Sequence, residues 1–205
     1  MPVPSHVSPA LRPAEPQPDS TPTPTLRPVL RAATSAAHDL LDSTVGALDL
    51  AAPADYARFL RIQFVARAAL EPELAAHLGD LAPPSQLGLL RADLAALGAE
   101  APHVRLACVI PATADPLGAC WALAGSHLGN RAMLHGLGAQ AGADWPTSFL
   151  ADEGMAAYWK GLRPRLDRPA AADDPAIESA QAVFALFLAA VRAEGVPPPA
   201  KRAAA

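Results

Sequence analysis

The chain has 205 residues, of which 51% are apolar and 18% are charged, and its formal net charge is −4. A chain of this length can bury one good core, so we expect a single domain. The acidic balance excludes a broad basic surface for nucleic acid. The two cysteines, Cys108 and Cys120, are too few for a disulfide framework or a closed zinc site.

Proline, serine and threonine crowd residues 1–25, which predicts an extended or disordered tail, and residues 196–205 form a second, shorter tail. The first tail has no apolar secretory segment, and no uncharged apolar run is long enough to span a membrane. We therefore expect a cytoplasmic protein with no membrane contact. In the central region, 26–195, apolar residues recur at helical spacing without the alternation typical of strands, which predicts an all-α domain.

The predicted helices cover about 27–45, 53–78, 85–97, 115–137, 147–166 and 174–194, with a short piece near 104–109. The second helix should bend at Pro72. The third should stop at Gly98, and the last should begin after a cap at Asp173 or Asp174 and stop at Gly195.

His38 falls on the stripe of the first helix that we expect to face the core, one turn after Thr34. A lone histidine on an apolar face is usually a buried structural residue. The functional alternative is an axial ligand of haem iron, for which neutral imidazole is a common donor. Arg31 precedes His38 by seven residues, which places it on nearly the same face about 10 Å away along the axis. A cation there would meet an anionic group of a ligand held by His38.

The fourth predicted helix carries Gly125 and Gly129, and each should cost a helix interior roughly 1 kcal/mol relative to alanine. The side-chain-free strip suits a partner helix or a flat ligand, and the spacing alone does not decide between them. Other chemistries fail on spacing. The single Glu-x-x-His, which ends at His103, is interrupted by Pro102 and does not make a ferritin-like di-iron site, and there is no phosphate-binding glycine loop.

Several of these motifs resemble, in their order and spacing, those of the haem oxygenase family. Leu30-Arg31-x-Ala33-Thr34-x-x-x-His38 is similar to the proximal helix, and Gly125-Ser126-x-Leu128-Gly129 followed by Arg131 is similar to the distal helix. The supporting stretches are Tyr56-x-x-Phe59-Leu60, Leu90-x-x-Asp93-Leu94-x-x-Leu97-Gly98 and Tyr158-Trp159-Lys160. The resemblance covers about 26–192. The serine after the first glycine resembles the bacterial branch that includes bacteriophytochrome-associated enzymes.

The resemblance implies a single-domain, haem-oxygenase-like helical bundle with a kinked, glycine-bearing distal helix. Haem would be both cofactor and substrate, and O2 would cleave it to biliverdin, iron and carbon monoxide. Because the chain has no nucleotide fingerprint, electrons would come from an external reductase or ferredoxin. The partners would be haem, this redox protein and a biliverdin-accepting phytochrome.

The resemblance also assigns site residues. His38 would be the axial ligand of the haem iron. The haem-binding residues would be His38, Arg31, Thr34, Lys160, Arg163 and Phe184. The residues on the oxygen side would be Gly125, Ser126, Gly129 and Asn130.

Three features depart from the family pattern. Asn130 stands where many relatives have Gly or Ala, Cys120-Trp121 replaces a tyrosine-rich stretch, and His127 would give an unreactive six-coordinate haem if it faced the iron. Two other functions therefore stay open. One is a non-catalytic haem-binding protein for storage, delivery or sensing on the same fold. The other is a helical interaction module that uses the glycine strip for a partner helix and the proline-rich tail for docking.

Overall fold

The computed structural model describes residues 23–103, 105–108, 110–138, 142 and 144–197. Over these residues the chain forms six α-helices and a short 3-10 helix, Gly79–Leu81, and no named strand. The α-helices are α1 (Leu26–Val45), α2 (Pro53–Leu78), α3 (Leu87–Ala96), α4 (Leu117–Leu137), α5 (Glu153–Leu166) and α6 (Ala176–Ala193). The predicted all-α fold is confirmed. The predicted tails lie almost entirely outside the described residues.

Helix α6 is the central element, because α1, α2 and α4 all pack on it. The N-terminal end of α4 approaches it closely at Gly118, where a Cβ atom would lie 1.7 Å from the carbonyl oxygen of Ala176. Only glycine permits this approach. Helix α6 is also the one described helix that is long and apolar enough to cross a membrane, but half of it is buried inside the domain, as expected of a core helix.

Helix α1 packs on α6 through a stripe that includes Leu26, Leu30 and Thr34, all of which are buried. The expectation that His38 continues this buried stripe is wrong, because its side chain is 55% exposed. Helix periodicity places a residue on a face, but it does not show whether another element covers that face.

Helix α5 begins later than predicted, at Glu153 rather than near residue 147. The preceding turn is held by Asp93 of α3, whose carboxylate accepts hydrogen bonds from the backbone N–H groups of Ser148 (3.0 Å) and Phe149 (2.8 Å). Asp152 then caps α5, since its side chain accepts from two backbone N–H groups of the first turn, at 2.9 and 3.1 Å. The short piece predicted near 104–109 is not regular over 105–108, and residues 104 and 109 lie outside the described residues.

Candidate functional site

An open cavity of about 750 Å³ lies between α1 and α4, with α6 as its floor. It forms because α1 and α4 both pack on α6 and, in the described part of the chain, share little direct contact. Side chains of α2 and α5 complete the walls. The volume falls within the roughly 300–1,000 Å³ that is common for small-molecule and cofactor sites.

His38 is the one histidine among the described residues that line this cavity. Its Nδ1 atom lies 3.3 Å from a carboxylate oxygen of Asp42 and 3.9 Å from one of Asp39. Neighbouring carboxylates favour the tautomer that carries its proton on Nδ1. The lone pair of Nε2 is then available to a metal ion.

Thr34 and Phe184 line the cavity together with His38. The Thr34 hydroxyl is buried and donates to the carbonyl oxygen of Leu30 at 2.8 Å, so its proton is used within α1. The Phe184 ring centroid lies 5.9 Å from that of His38. Both residues therefore contribute to the shape of the cavity, and neither side chain offers a free hydrogen-bond donor to a ligand.

Three arginines line the cavity: Arg27 and Arg31 on α1, and Arg163 on α5. Arg27 and Arg31 are four residues apart and so share a helix face. They also border a smaller cleft of about 300 Å³ beside the cavity. Lys160 is exposed and does not line the cavity. Arg31 and Arg163 thus reach the cavity, Lys160 does not, and Arg27 is a cation that the sequence analysis missed.

Gly125 and Gly129 lie on the α4 wall of the cavity. A Cβ atom on Gly129 would meet nothing within 4 Å, and one on Gly125 would meet the Trp159 ring at 3.9 Å. Neither glycine is needed to let another described element pack closely. The strip is therefore bare backbone open to the cavity, which leaves a flat ligand or an external partner as its occupant.

Ser126 and Asn130 lie on the same wall. The Ser126 hydroxyl donates to the carbonyl oxygen of Leu123 at 2.7 Å and accepts a hydrogen bond from Arg67 Nη2 at 3.1 Å. Asn130 is 5% exposed. We call this α4 side of the cavity, with Gly125 and Gly129, the glycine wall. It carries a hydroxyl group and an amide group, each directly after one of the two glycines in the sequence.

His127 does not line the cavity. It is buried, its Nδ1 atom lies 2.6 Å from the carbonyl oxygen of Ala124, and its ring centroid lies 5.8 Å from that of Trp159. Because His127 is absent from the cavity wall, the six-coordinate arrangement considered from the sequence has no support in this geometry.

Helix α2 contributes polar residues that the sequence analysis did not identify. Gln63, Arg67 and Glu71 are spaced by four on one face and are 9%, 0% and 7% exposed. The Arg67 guanidinium carbon lies 5.1 Å from the centroid of the Phe149 ring. Burial lowers the pKa of Arg67 to about 10, against the opposing effect of Glu71 and Asp152. The sequence does carry a signal for this polar face, because a polar residue recurs at every fourth position in a helix whose centre is otherwise apolar.

The fold is similar to that of the crystal structures of the NO- and CO-bound haem oxygenase from Neisseria meningitidis, with a TM-score of 0.67. The match covers 86% of this chain and 95% of that chain, at 22% sequence identity. No protein-family model and no curated protein matches the sequence. The predicted haem-oxygenase-like helical fold is therefore confirmed at the level of the fold.

Proposed function

We propose that this protein is a haem oxygenase, which cleaves haem to biliverdin, iron and carbon monoxide with O2 and external electrons. The observation that carries the proposal is one cavity that has His38 on one helix and the side-chain-free strip at Gly125 and Gly129 on another. An imidazole donor on one side and bare backbone on the other suit a flat iron macrocycle with an accessible coordination position. The fold of a bacterial haem oxygenase supports the same conclusion.

The residues of the cavity fit haem in their chemistry. His38 supplies a nitrogen donor whose second nitrogen lies beside Asp42. Arg31 and Arg163 supply guanidinium groups, which suit the two carboxylates of haem. The glycine strip provides open space that a Cβ atom on Gly129 would occupy.

Bound haem would supply both the iron that activates O2 and the ring that is oxidised. The residues of this chain would bind and orient it. His38 Nε2 would hold the iron, the arginines would hold the carboxylates, and Ser126 with Asn130 would offer polar groups on the oxygen side. Electrons would come from a separate reductase or ferredoxin, and biliverdin would pass to an acceptor such as a phytochrome.

A non-catalytic haem-binding protein on the same fold is the second candidate. Asn130 favours it, because this buried side chain lies on the glycine wall, one residue after Gly129. A side chain of this size leaves less room for O2 than the small residue of many family members. Haem would then bind without being degraded.

The test is a haemin titration followed by reduction with ascorbate under oxygen. We expect a Soret band, then its loss together with growth of the biliverdin absorbance. A stable haem spectrum that never turns green would refute the oxygenase and leave the binder, and the absence of a Soret band would leave the interaction module. His38→Ala should change the axial-ligand spectrum. His135→Ala, which removes an exposed histidine of α4 outside the cavity wall, should not.

A further inference from the structure

Arg67 is a buried cation whose hydrogen bonds are incomplete. It is 0% exposed, and its Nε and Nη1 atoms have no hydrogen-bond partner among the described residues. Buried charges are normally paired, because an unpaired charge is costly to desolvate. Arg67 forms no ion pair within the described residues. The nearby Glu71 carboxylate accepts instead from the Ser85 hydroxyl and the Gln86 backbone, at 2.5 and 3.1 Å.

The one hydrogen bond of Arg67 leads to the candidate site. Its Nη2 atom donates to the Ser126 hydroxyl oxygen at 3.1 Å, and Ser126 lines the cavity. The Ser126 proton is directed to the carbonyl oxygen of Leu123. Gln63, one turn before Arg67 on α2, also lines the cavity and has a buried Oε1 atom without a described partner. The Ser126 hydroxyl group thus links the Arg67 guanidinium to the glycine wall of the cavity.

We propose that Arg67 is a positioning residue that fixes the Ser126 hydroxyl and makes this wall of the cavity selective for anionic over neutral ligands of a bound haem iron. The inference rests on the proposed function, because it needs haem held by His38. A positive charge behind the wall lowers the energy of a negative charge in the cavity and leaves a neutral ligand nearly unaffected. The guanidinium is buried and therefore poorly screened by salt, and the nearby Glu71 and Asp152 carboxylates offset only part of its field.

The test compares azide, which is anionic, with imidazole, which is neutral, as ligands of the ferric haem complex, by optical titration. We expect Arg67→Met to weaken azide binding roughly tenfold. This is the order of magnitude of the Coulomb interaction between the guanidinium and azide at a separation on the order of 10 Å and an effective dielectric constant near 20. Imidazole affinity should change by less than about threefold, well below the tenfold that corresponds to 1.4 kcal/mol. Arg67→Lys should keep the preference for azide.

A matched control is Arg91→Met. Arg91 also lies over an aromatic ring, 5.0 Å from the Phe64 centroid, but it is exposed and does not line the cavity. It should leave both affinities unchanged. Arg67→Gln, which keeps a hydrogen-bond donor without the charge, serves if the methionine variant does not fold, and it should also lose the azide preference.

The outcomes separate the two proposals. Equal weakening of azide and imidazole in the Arg67 variants would mean that Arg67 only supports the fold of the wall, and would overturn the inference while leaving haem binding intact. An unchanged azide-to-imidazole ratio would overturn it as well. A wild-type chain that takes up no haem would refute the proposed function, and the inference with it.

Discussion

Replacing Gly129 with alanine should stabilise the ligand-free protein and weaken haem binding at the same time. Gly129 is inside α4, and a Cβ atom there would meet nothing within 4 Å. Alanine should therefore raise the free energy of unfolding by about 1 kcal/mol, which corresponds to a rise in Tm of roughly 2–4 °C for a chain of this size. The added methyl group would project into the space that the macrocycle is proposed to fill. Overpacking of this kind costs about 1–3 kcal/mol, or roughly 5- to 150-fold in the haem dissociation constant.

Thermal unfolding of the haem-free protein and a haemin titration measure the two effects separately. Gly136→Ala is the matched control, because Gly136 is an exposed glycine of the same helix that does not line the cavity, and a Cβ atom on it would also meet nothing within 4 Å. It should stabilise the protein and leave haem binding unchanged. If Gly129→Ala binds haem as tightly as the wild type and with the same spectrum, the glycine strip does not contact the ligand.

Three further predictions follow from contacts of individual side chains. Asp42→Asn should lower the iron–histidine stretching frequency in the ferrous haem complex, measured by resonance Raman, because this variant loses the carboxylate that would polarise His38 as the proposed axial ligand. Arg163→Ala should weaken haem binding several-fold by removing a cation from the cavity wall, whereas Lys160→Ala should have no effect; equal effects would refute the placement of the carboxylates. The neighbouring Arg168 guanidinium holds the pKa of Asp174 below its usual range, so their pairing stabilises the fold above about pH 4 and is lost as the pH falls through the lowered value. Asp174→Asn should therefore lower the unfolding free energy at pH 7 and reduce its acid dependence in denaturant titrations.

The bounds of α2 are those predicted, because they are encoded locally. Pro53 stands in the first turn, and Gly79, with a φ of 54°, follows the last residue. The start of α5 is also marked locally, by the Asp152 cap, but nothing local shows that residues 147–151 form a turn and not the first turn of the helix. The turn before it is held by Asp93, which is 55 residues away from Ser148 in the sequence. Only the tertiary fold brings that carboxylate to the turn.

The candidate site also depends on tertiary contacts that the sequence alone does not reveal. Periodicity placed His38 and Arg31 on one face of α1, but the cavity exists because α1 and α4 rest on α6 without filling the space between them. Trp159 and Arg163 are four residues apart on α5 and both line the cavity, whereas Lys160 lies about 100° round the helix from Trp159 and does not. Arg67 was missed because its significance depends on the contact with Ser126 across two helices.

The charges on α1 change sign along the helix, so the cavity is positively charged at one end and negatively charged at the other. Arg27 and Arg31 precede His38, Asp39 and Asp42 follow it, and all five line the cavity. A ligand with two carboxylates that is centred on His38 is attracted toward the N-terminal half of α1 and repelled from the C-terminal half. The positive end of the helix dipole adds to this preference. The seven residues from Arg31 to His38 span about 10 Å along the axis, so the charges of this one helix would largely orient the two carboxylates of the haem that we propose binds here. That orientation would in turn decide which edge of the proposed haem faces the glycine strip.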